Sequence, residues 1–376
     1  MIRDSFDVFP FKYQIYIILR FICIILWLSC YIYALLKLTV KLYSLMIFES
    51  RAYARAGLLG NPSDGYFGKT ISIVVRNFGA HISLYESPEL NIEQQAEDRN
   101  IFRNIYQLVE SVDLTGYYGG DRLVKAAIKK FCEYCDSQSI KINGKNFTVR
   151  YRSSIPRQVG LAGSSAIITA TIKALMSFYN VEISDEKLPN LLLSVETEEL
   201  GINAGLQDRV IQTYEGCVYM DFDRKIMESK GHGNYEQIDP TLLPNFYIAY
   251  KINLGKVSGS VFNDVKARFH DGEPLVVDTM AEIGQVAADG KEAILSGDHN
   301  LLADLINKNF DLRAKIFNIT DSNIELIKVA RKCGASAKFT GSGGSIIGTY
   351  PNDETLRSLI INMQKLNARV IKPYII

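Results

Sequence analysis

The segment Pro156-Arg-Gln-Val-Gly-Leu-Ala-Gly-Ser-Ser-Ala166, continued by Ile-Ile-Thr-Ala-Thr-Ile-Lys-Ala-Leu175, decides how this chain reads. Gly160 and Gly163 let the backbone approach a ligand closely, because no Cβ stands in the way. Ser164 and Ser165 fall where a helix would begin, and Ile168, Ile172 and Leu175 follow at helical spacing. A helix start leaves N–H groups unpaired and carries the positive end of the helix dipole. Such a loop suits an anion, with two hydroxyls at hand for a phosphate oxygen or Mg²⁺. The plainer alternative is a serine-capped helix after a glycine turn.

Outward from this loop, 376 residues at 47% hydrophobic composition supply enough apolar material for two compact domains. A net charge of +1 offers no basic field for nucleic acid. The six cysteines, Cys23, Cys30, Cys132, Cys135, Cys217 and Cys333, form no disulfide framework, which favours a reducing, cytoplasmic setting. Cys132 and Cys135 have redox-like or zinc-like spacing but sit inside an apparent helix, so they read as packing residues. No histidine accompanies a catalytic-looking serine. Residues 1–45 stand apart: residues 21–36 are uncharged, and residues 13–48 carry only Arg20, Lys37 and Lys41. Three readings stay open for them: a membrane anchor through residues 13–48, a hydrophobic helix docked elsewhere, and an extension preceding a start at Met46.

The remaining pattern mixes strands and helices. Strands are expected at residues 51–59, 70–75, 80–85, 147–151, 215–223, 246–252 and 345–350. Helices are expected at residues 90–113, 122–137, 258–268, 276–295, 300–317 and 323–333. The polar stretch 224–239 marks a boundary, giving domains at 46–235 and 236–376. Ser63-Asp-Gly-Tyr-Phe-Gly-Lys-Thr70 nearly spells a nucleotide-binding P-loop, but Ser63 replaces its first glycine and Thr70 leads into strand-like sequence. Tyr117 and Tyr118, between glycines, suit either a sugar wall or a tight helix start.

Two further stretches complete the pattern: Arg55-Ala-Gly-Leu-Leu-Gly-Asn-Pro-Ser-Asp-Gly-Tyr66 and Lys338-Phe-Thr-Gly-Ser-Gly-Gly-Ser345. With the central loop they resemble, in order and spacing, the three motifs of the GHMP kinases. The resemblance implies an α+β fold of two domains, an N-terminal half like ribosomal S5 domain 2 and a ferredoxin-like C-terminal half. It implies ATP and Mg²⁺ as cofactors. ATP would lie on Pro156, Gly160, Leu161, Ala162, Gly163, Ser164, Ser165 and Ala166, closed by Gly341, Gly343 and Gly344. By the same resemblance, Ser165 and Glu196 hold the metal, with Glu198 and Glu199 as rivals. Asp208 becomes the candidate base, Arg55 the cation at the transfer centre, and Asp64 a partner for sugar hydroxyls, unless Arg55 and Asp64 simply pair at a turn. Within the family, Gly57–Asp64, Ile155–Ala166, Glu199–Val210, Gly116–Gly120 and Asn309–Arg313 look like the glucuronokinases, which phosphorylate D-glucuronate at its anomeric hydroxyl. Tyr117, Tyr118 and a basic residue (Lys69, Arg122 or, preferred, Arg157) would then meet the sugar acid.

Overall fold

A computed structural model of the chain describes residues 20, 22–33, 46–93, 120–142, 144–252 and 260–376. The spine of the first domain is β2 (Lys69–Ser87), a 19-residue strand rich in β-branched and aromatic side chains. β1 (Ile47–Leu59) pairs antiparallel along almost its whole length. On the opposite edge, β2 pairs first with β5 (Cys217–Asp221) through residues 69–73, then with β4 (Asn146–Ser153) through residues 80–87. The two strands expected at 70–75 and 80–85 are thus one strand. Between them Arg76, Asn77 and Phe78 bulge out, since Tyr53 faces Gly79 while Ala54 faces Val75.

The sheet is completed by β3 (Asn91–Glu93), parallel to β4, and by β6 (Asn234–Ile238), antiparallel to β5. Two expectations change here. Residues 91–93 form a strand rather than the start of a helix, because Ile92 and Glu93 continue the edge beside Val149 and Arg150. The rest of that expected helix lies outside the described residues. The polar stretch 224–239 is structured: Asp223 caps a helix, Arg224–Lys230, through two backbone N–H groups, and β6 extends the first sheet across the 235/236 division.

The second sheet runs β10-β7-β9-β8, entirely antiparallel, from β7 (Phe246–Lys251), β8 (Lys338–Phe339), β9 (Ser345–Thr349) and β10 (Ala368–Ile371). Numbered within the domain, this is the 4-1-3-2 order of a ferredoxin-like sheet. Helices Ser260–His270, Pro274–Ser296, His299–Ile316 and Asp321–Lys332 connect β7 to β8, and Asp353–Gln364 connects β9 to β10. Each lies within a few residues of its expected position where one was expected.

The Pro274–Ser296 helix joins the two halves, since its small residues let it lie directly on the first sheet. A Cβ on Gly290 would come 2.0 Å from Leu59, and Ala287 would meet a Cβ on Gly60 at 2.9 Å. One hydrophobic core therefore runs from Ala52, Leu59 and Ile71 to Val276, Ile283 and Leu302. The C-terminal tail adds a second tie at the β2 bulge: Asn77 accepts the Tyr374 N–H at 2.7 Å, and the Tyr374 carbonyl accepts the Arg76 N–H at 3.0 Å.

Residues 22–33 are helical and exposed. The remainder of the apolar 13–48 stretch before Met46 lies outside the described residues, apart from Arg20. Among the described residues no helix is long and apolar enough to cross a membrane.

Gly348 shows how tightly the second sheet is built. A Cβ there would stand 1.6 Å from the Ser336 carbonyl oxygen, which is backbone and cannot swing away. Gly348→Ala is expected to lower stability by about 1–3 kcal/mol or more, measured as a fall in thermal midpoint.

Candidate active site

Three segments converge on Arg55, a buried arginine of β1. Its Nε donates to Asp208 Oδ1 at 2.6 Å, and its Nη1 donates to the carbonyls of Gly160 at 2.7 Å and Thr340 at 3.0 Å. The backbones follow the same course. The Arg55 N–H donates to the Leu161 carbonyl at 3.2 Å, and the Gly57 N–H to the Thr340 carbonyl at 2.8 Å. Arg55 is thus paired with Asp208, not with Asp64 across the turn.

The central loop and the third motif interlock. A Cβ on Gly160 would lie 2.9 Å from the Gly343 oxygen, and its φ of +72° already favours glycine. Thr340 Oγ1 donates to the Gly160 carbonyl at 3.1 Å, and the Ser345 hydroxyl reaches the Val159 carbonyl. Downstream, the Gly163–Tyr179 helix begins after Ala162, which takes the left-handed conformation and supplies no side-chain cap. Its first N–H groups are left for another acceptor, as an anion cradle requires. Pro156, Gly160, Leu161 and Ala162 form the approach to this helix, and Gly163, Ser164, Ser165 and Ala166 its first turn.

The two serines differ. Ser164 Oγ donates to Glu196 at 2.8 Å, whereas Ser165 Oγ donates back to the Ala162 carbonyl at 3.2 Å. Glu196 is only 1% exposed and sits on a π-helical turn, Val195–Glu199. Such turns often mark functional positions, because the extra residue redirects a side chain. The neighbouring Glu198 and Glu199 turn outward to Lys130 (2.9 Å) and Lys129 (2.6 Å). Sequence spacing could not separate these three glutamates; burial does. Behind Glu196 stands Arg209, in contact with it as a buried ion pair and 3.6 Å from Asp208 Oδ2.

Asp64 lies on the 3-10 turn Ser63–Tyr66, where its Oδ2 accepts the Gln207 N–H at 3.3 Å. A Cβ on Gly205 would fall 2.1 Å from that oxygen, so this approach requires glycine. Burial, then the neighbouring Asp208 charge, raises the Asp64 carboxyl from 3.8 to about 6. Asp64 and Asp208 therefore share one electrostatic site, one of them held by a guanidinium.

The near P-loop at 63–70 is this turn followed by β2, with no helix after it. Of the basic candidates, Arg157 is exposed on the central loop and Arg122 on the Gly120–Ser137 helix. Lys69 pairs with Asp221 at 3.2 Å and lines a cavity of about 300 Å³ with Tyr66, Phe269 and Met280. Tyr117 and Tyr118 lie outside the described residues.

Sequence reasoning passed over Arg209, Lys338 and Asn309 as site residues. All three are buried, and each is a polar side chain in an otherwise apolar run (Arg209-Val-Ile, Ala337-Lys-Phe) or on a core helix. That mismatch of polarity and burial was the available signal. Arg313 is buried too and donates to the Gly341 carbonyl at 2.8 Å, and burial lowers its guanidinium to about 10.

Comparison with known proteins agrees with this geometry. The profile described as GHMP kinases N terminal domain matches residues 122–216, and that described as GHMP kinases C terminal matches residues 291–367. "Probable glucuronokinase 2" of Arabidopsis thaliana is 43% identical over 334 residues, 87% of this chain and 91% of that protein. "Glucuronokinase 1" of the same plant is 44% identical over 309 residues, covering 81% of this chain and 85% of that protein. Among solved structures, Lactococcus lactis galactokinase complexed with galactose superposes with a TM-score of 0.72 at 15% identity, covering 91% of this chain and 98% of that one. The mevalonate kinase of Methanococcus jannaschii superposes at 0.64 with 22% identity, over 88% and 98% of the two chains. At these identities the two structures speak for the fold.

The raised Asp64 carboxyl has a testable consequence. Its folded-state value of about 6 exceeds the unfolded 3.8, so the folded protein binds that proton more readily. The group therefore costs stability progressively as pH rises from 3.8 to about 6. Asp64→Asn removes the cost. Its thermal midpoint should gain on the wild type across that interval and hold a constant advantage above it, whereas a flat difference from pH 4 to pH 8 contradicts the buried, charge-repelled site.

Proposed function

This chain belongs to the GHMP kinase family, and from that premise we propose that it transfers the γ-phosphoryl group of ATP to the anomeric hydroxyl of D-glucuronate. The observation that carries the reading is the single Arg55 side chain holding Asp208, the central loop and the third motif together. The likeness to the two Arabidopsis glucuronokinases supplies the substrate.

In this reading the uncapped start of the Gly163–Tyr179 helix receives the phosphates, and Gly341, Gly343 and Gly344 close over them from the second domain. Arg55 supplies fixed positive charge where the transferred group passes, which a preorganised cation does without reorganising. Asp208, aligned by the Arg55 Nε, accepts the proton of the anomeric hydroxyl as that oxygen bonds to phosphorus and ADP departs. Asp64 accepts hydrogen bonds from neighbouring sugar hydroxyls, as an ionised carboxylate can from two at once.

The oxygen donors suit Mg²⁺. Glu196 is a buried carboxylate touching a loop hydroxyl, and the ion ordinarily takes one or two carboxylates with the rest from phosphates and water. Glu196 with Ser165 or Ser164 would hold it. Bound there, Mg²⁺ would supply positive charge to the phosphates. Arg209, already against Glu196, keeps that carboxylate turned toward the loop.

Arg157, Tyr117 and Tyr118 remain the proposed contacts to the sugar acid. A guanidinium gripping a carboxylate with two parallel bonds gives selectivity that a neutral hexose cannot recover.

A coupled assay of ADP release against a panel of sugars and uronic acids tests the assignment. Glucuronate should be used with kcat/KM at least ~10²-fold above glucose or galactose, and the product should be the 1-phosphate. Comparable rates on neutral hexoses would remove glucuronate while leaving a sugar kinase. Two variants separate the carboxylates by role. Asp208→Asn should cut kcat on the order of 10²-fold or more with ATP affinity kept. Glu196→Gln should raise the Mg²⁺ concentration needed for half-maximal rate. Equal, metal-independent losses from both contradict the division.

A further inference from the structure

The loop that carries Asp64 is gripped from the other domain. Lys338, on β8, is 1% exposed, and its ammonium donates to the Gly57 carbonyl at 2.8 Å, the Phe339 carbonyl at 2.9 Å and the Asn61 Oδ1. All three of its protons thus meet an acceptor. Asn309, fully buried on the His299–Ile316 helix, accepts the Gly60 N–H at 2.7 Å and donates to the Asn61 carbonyl at 3.3 Å. Gly60 is left-handed, with φ +81°, and a Cβ there would lie 2.0 Å from the Lys69 carbonyl oxygen. Apart from the Phe339 carbonyl, the partners of Lys338 and Asn309 all fall on residues 57–61, immediately before the turn that presents Asp64.

We propose that Lys338 and Asn309 are positioning residues for the sugar: a clamp from the second domain that sets where Asp64 stands relative to the phosphate loop. The proposal rests on Asp64 as the sugar-binding carboxylate. The nucleotide side has a separate tie to the same segment, since Thr340 and Gly341 meet Arg55 and Gly160 rather than residue 61. Of four consecutive residues, Lys338 and Phe339 meet Gly57 and Asn61, while Thr340 and Gly341 meet Arg55 and Gly160, with the Thr340 carbonyl also taking the Gly57 N–H at 2.8 Å. A buried lysine is costly unless every proton is satisfied, and here burial and the nearby Arg313 and Arg55 disfavour its charge. Apolar side chains would pack such a position more cheaply. What the lysine adds is direction, because three acceptors from two chain segments define one geometry.

The separation of ties makes the clamp distinguishable from general packing. Lys338→Met and Asn309→Leu remove the donors and acceptors at similar volume. The full-length proteins are compared by thermal midpoint, by KM for sugar and ATP separately, and by calorimetric Kd for the sugar. We expect both variants to raise sugar KM and Kd about tenfold or more with ATP KM within about threefold. Should Lys338→Met fail to fold, Asn309→Leu carries the same comparison. KM values for sugar and ATP rising together, or neither changing in a folded variant, overturns the clamp. The substrate assignment is read independently on the wild type: if another sugar proves to be the substrate, the same ratio is taken with that sugar.

Discussion

The structure depends on one buried guanidinium. Arg55 is the point where β1, the central glycine loop, the Gln207–Tyr214 helix and the third motif meet, through one ion pair and two carbonyl contacts. A buried cation is tolerated only when its donors are answered, and breaking such a site leaves an uncompensated charge, at a cost of about 3–5 kcal/mol. The four segments are therefore not free to drift independently. Gly160 and Gly341 serve the same end: a Cβ on Gly341 would lie 2.6 Å from the Gly160 oxygen and 2.9 Å from the Arg55 guanidinium. The glycines are the space into which Arg55 and the two loops fit.

That constraint explains why the two domains cannot be treated as beads. The Pro274–Ser296 helix lies on the first sheet through Gly284, Ala287 and Gly290. The tail at Tyr374 returns to the β2 bulge, and Lys338 reaches the Gly57 carbonyl near the end of β1, ahead of the turn at Ser63–Tyr66. Each link is a polar or small-residue contact laid over a continuous apolar core, so the cleft between the halves has defined walls. Phosphoryl transfer asks little covalent chemistry of the protein and much positioning, and a cleft with defined walls is how positioning is achieved.

Much of this was legible in the chain. Strands with β-branched runs and helices with apolar spacing fell close to where they stand, because burial on one face leaves a period that sequence preserves. The three glycine motifs and Asp208 could be picked out as well, and the structure brings them together at Arg55. What escaped was set by distant partners. Nothing near residues 76–78 announces a bulge, which arises from the register of β1 against β2. The stretch 224–239 is polar enough to look like a linker, yet backbone pairing with β5, to which side-chain polarity is indifferent, makes part of it a strand. Choosing Glu196 over Glu198 and Glu199 required the lysines of another helix, more than sixty residues away in the chain.

The two aspartates show what the electrostatics of such a site accomplish. Asp208 is met by Arg55 at 2.6 Å and approached by Arg209 at 3.6 Å, so its charge is balanced and its orientation set before any substrate arrives. Asp64 accepts one backbone N–H at 3.3 Å and is raised to about 6 by burial and by Asp208 itself. Carboxylates placed in unequal surroundings take unequal roles. In the proposed function Asp208 is the fixed acceptor at the reacting hydroxyl. On the same proposal Asp64 is held in a costly state that sugar hydroxyls would relieve, because each hydrogen bond donated to it replaces solvation lost on burial. Sugar binding so proposed would draw on strain already present at Asp64, and the second-domain grip on residues 57–61 would keep that strain from relaxing by movement of the loop.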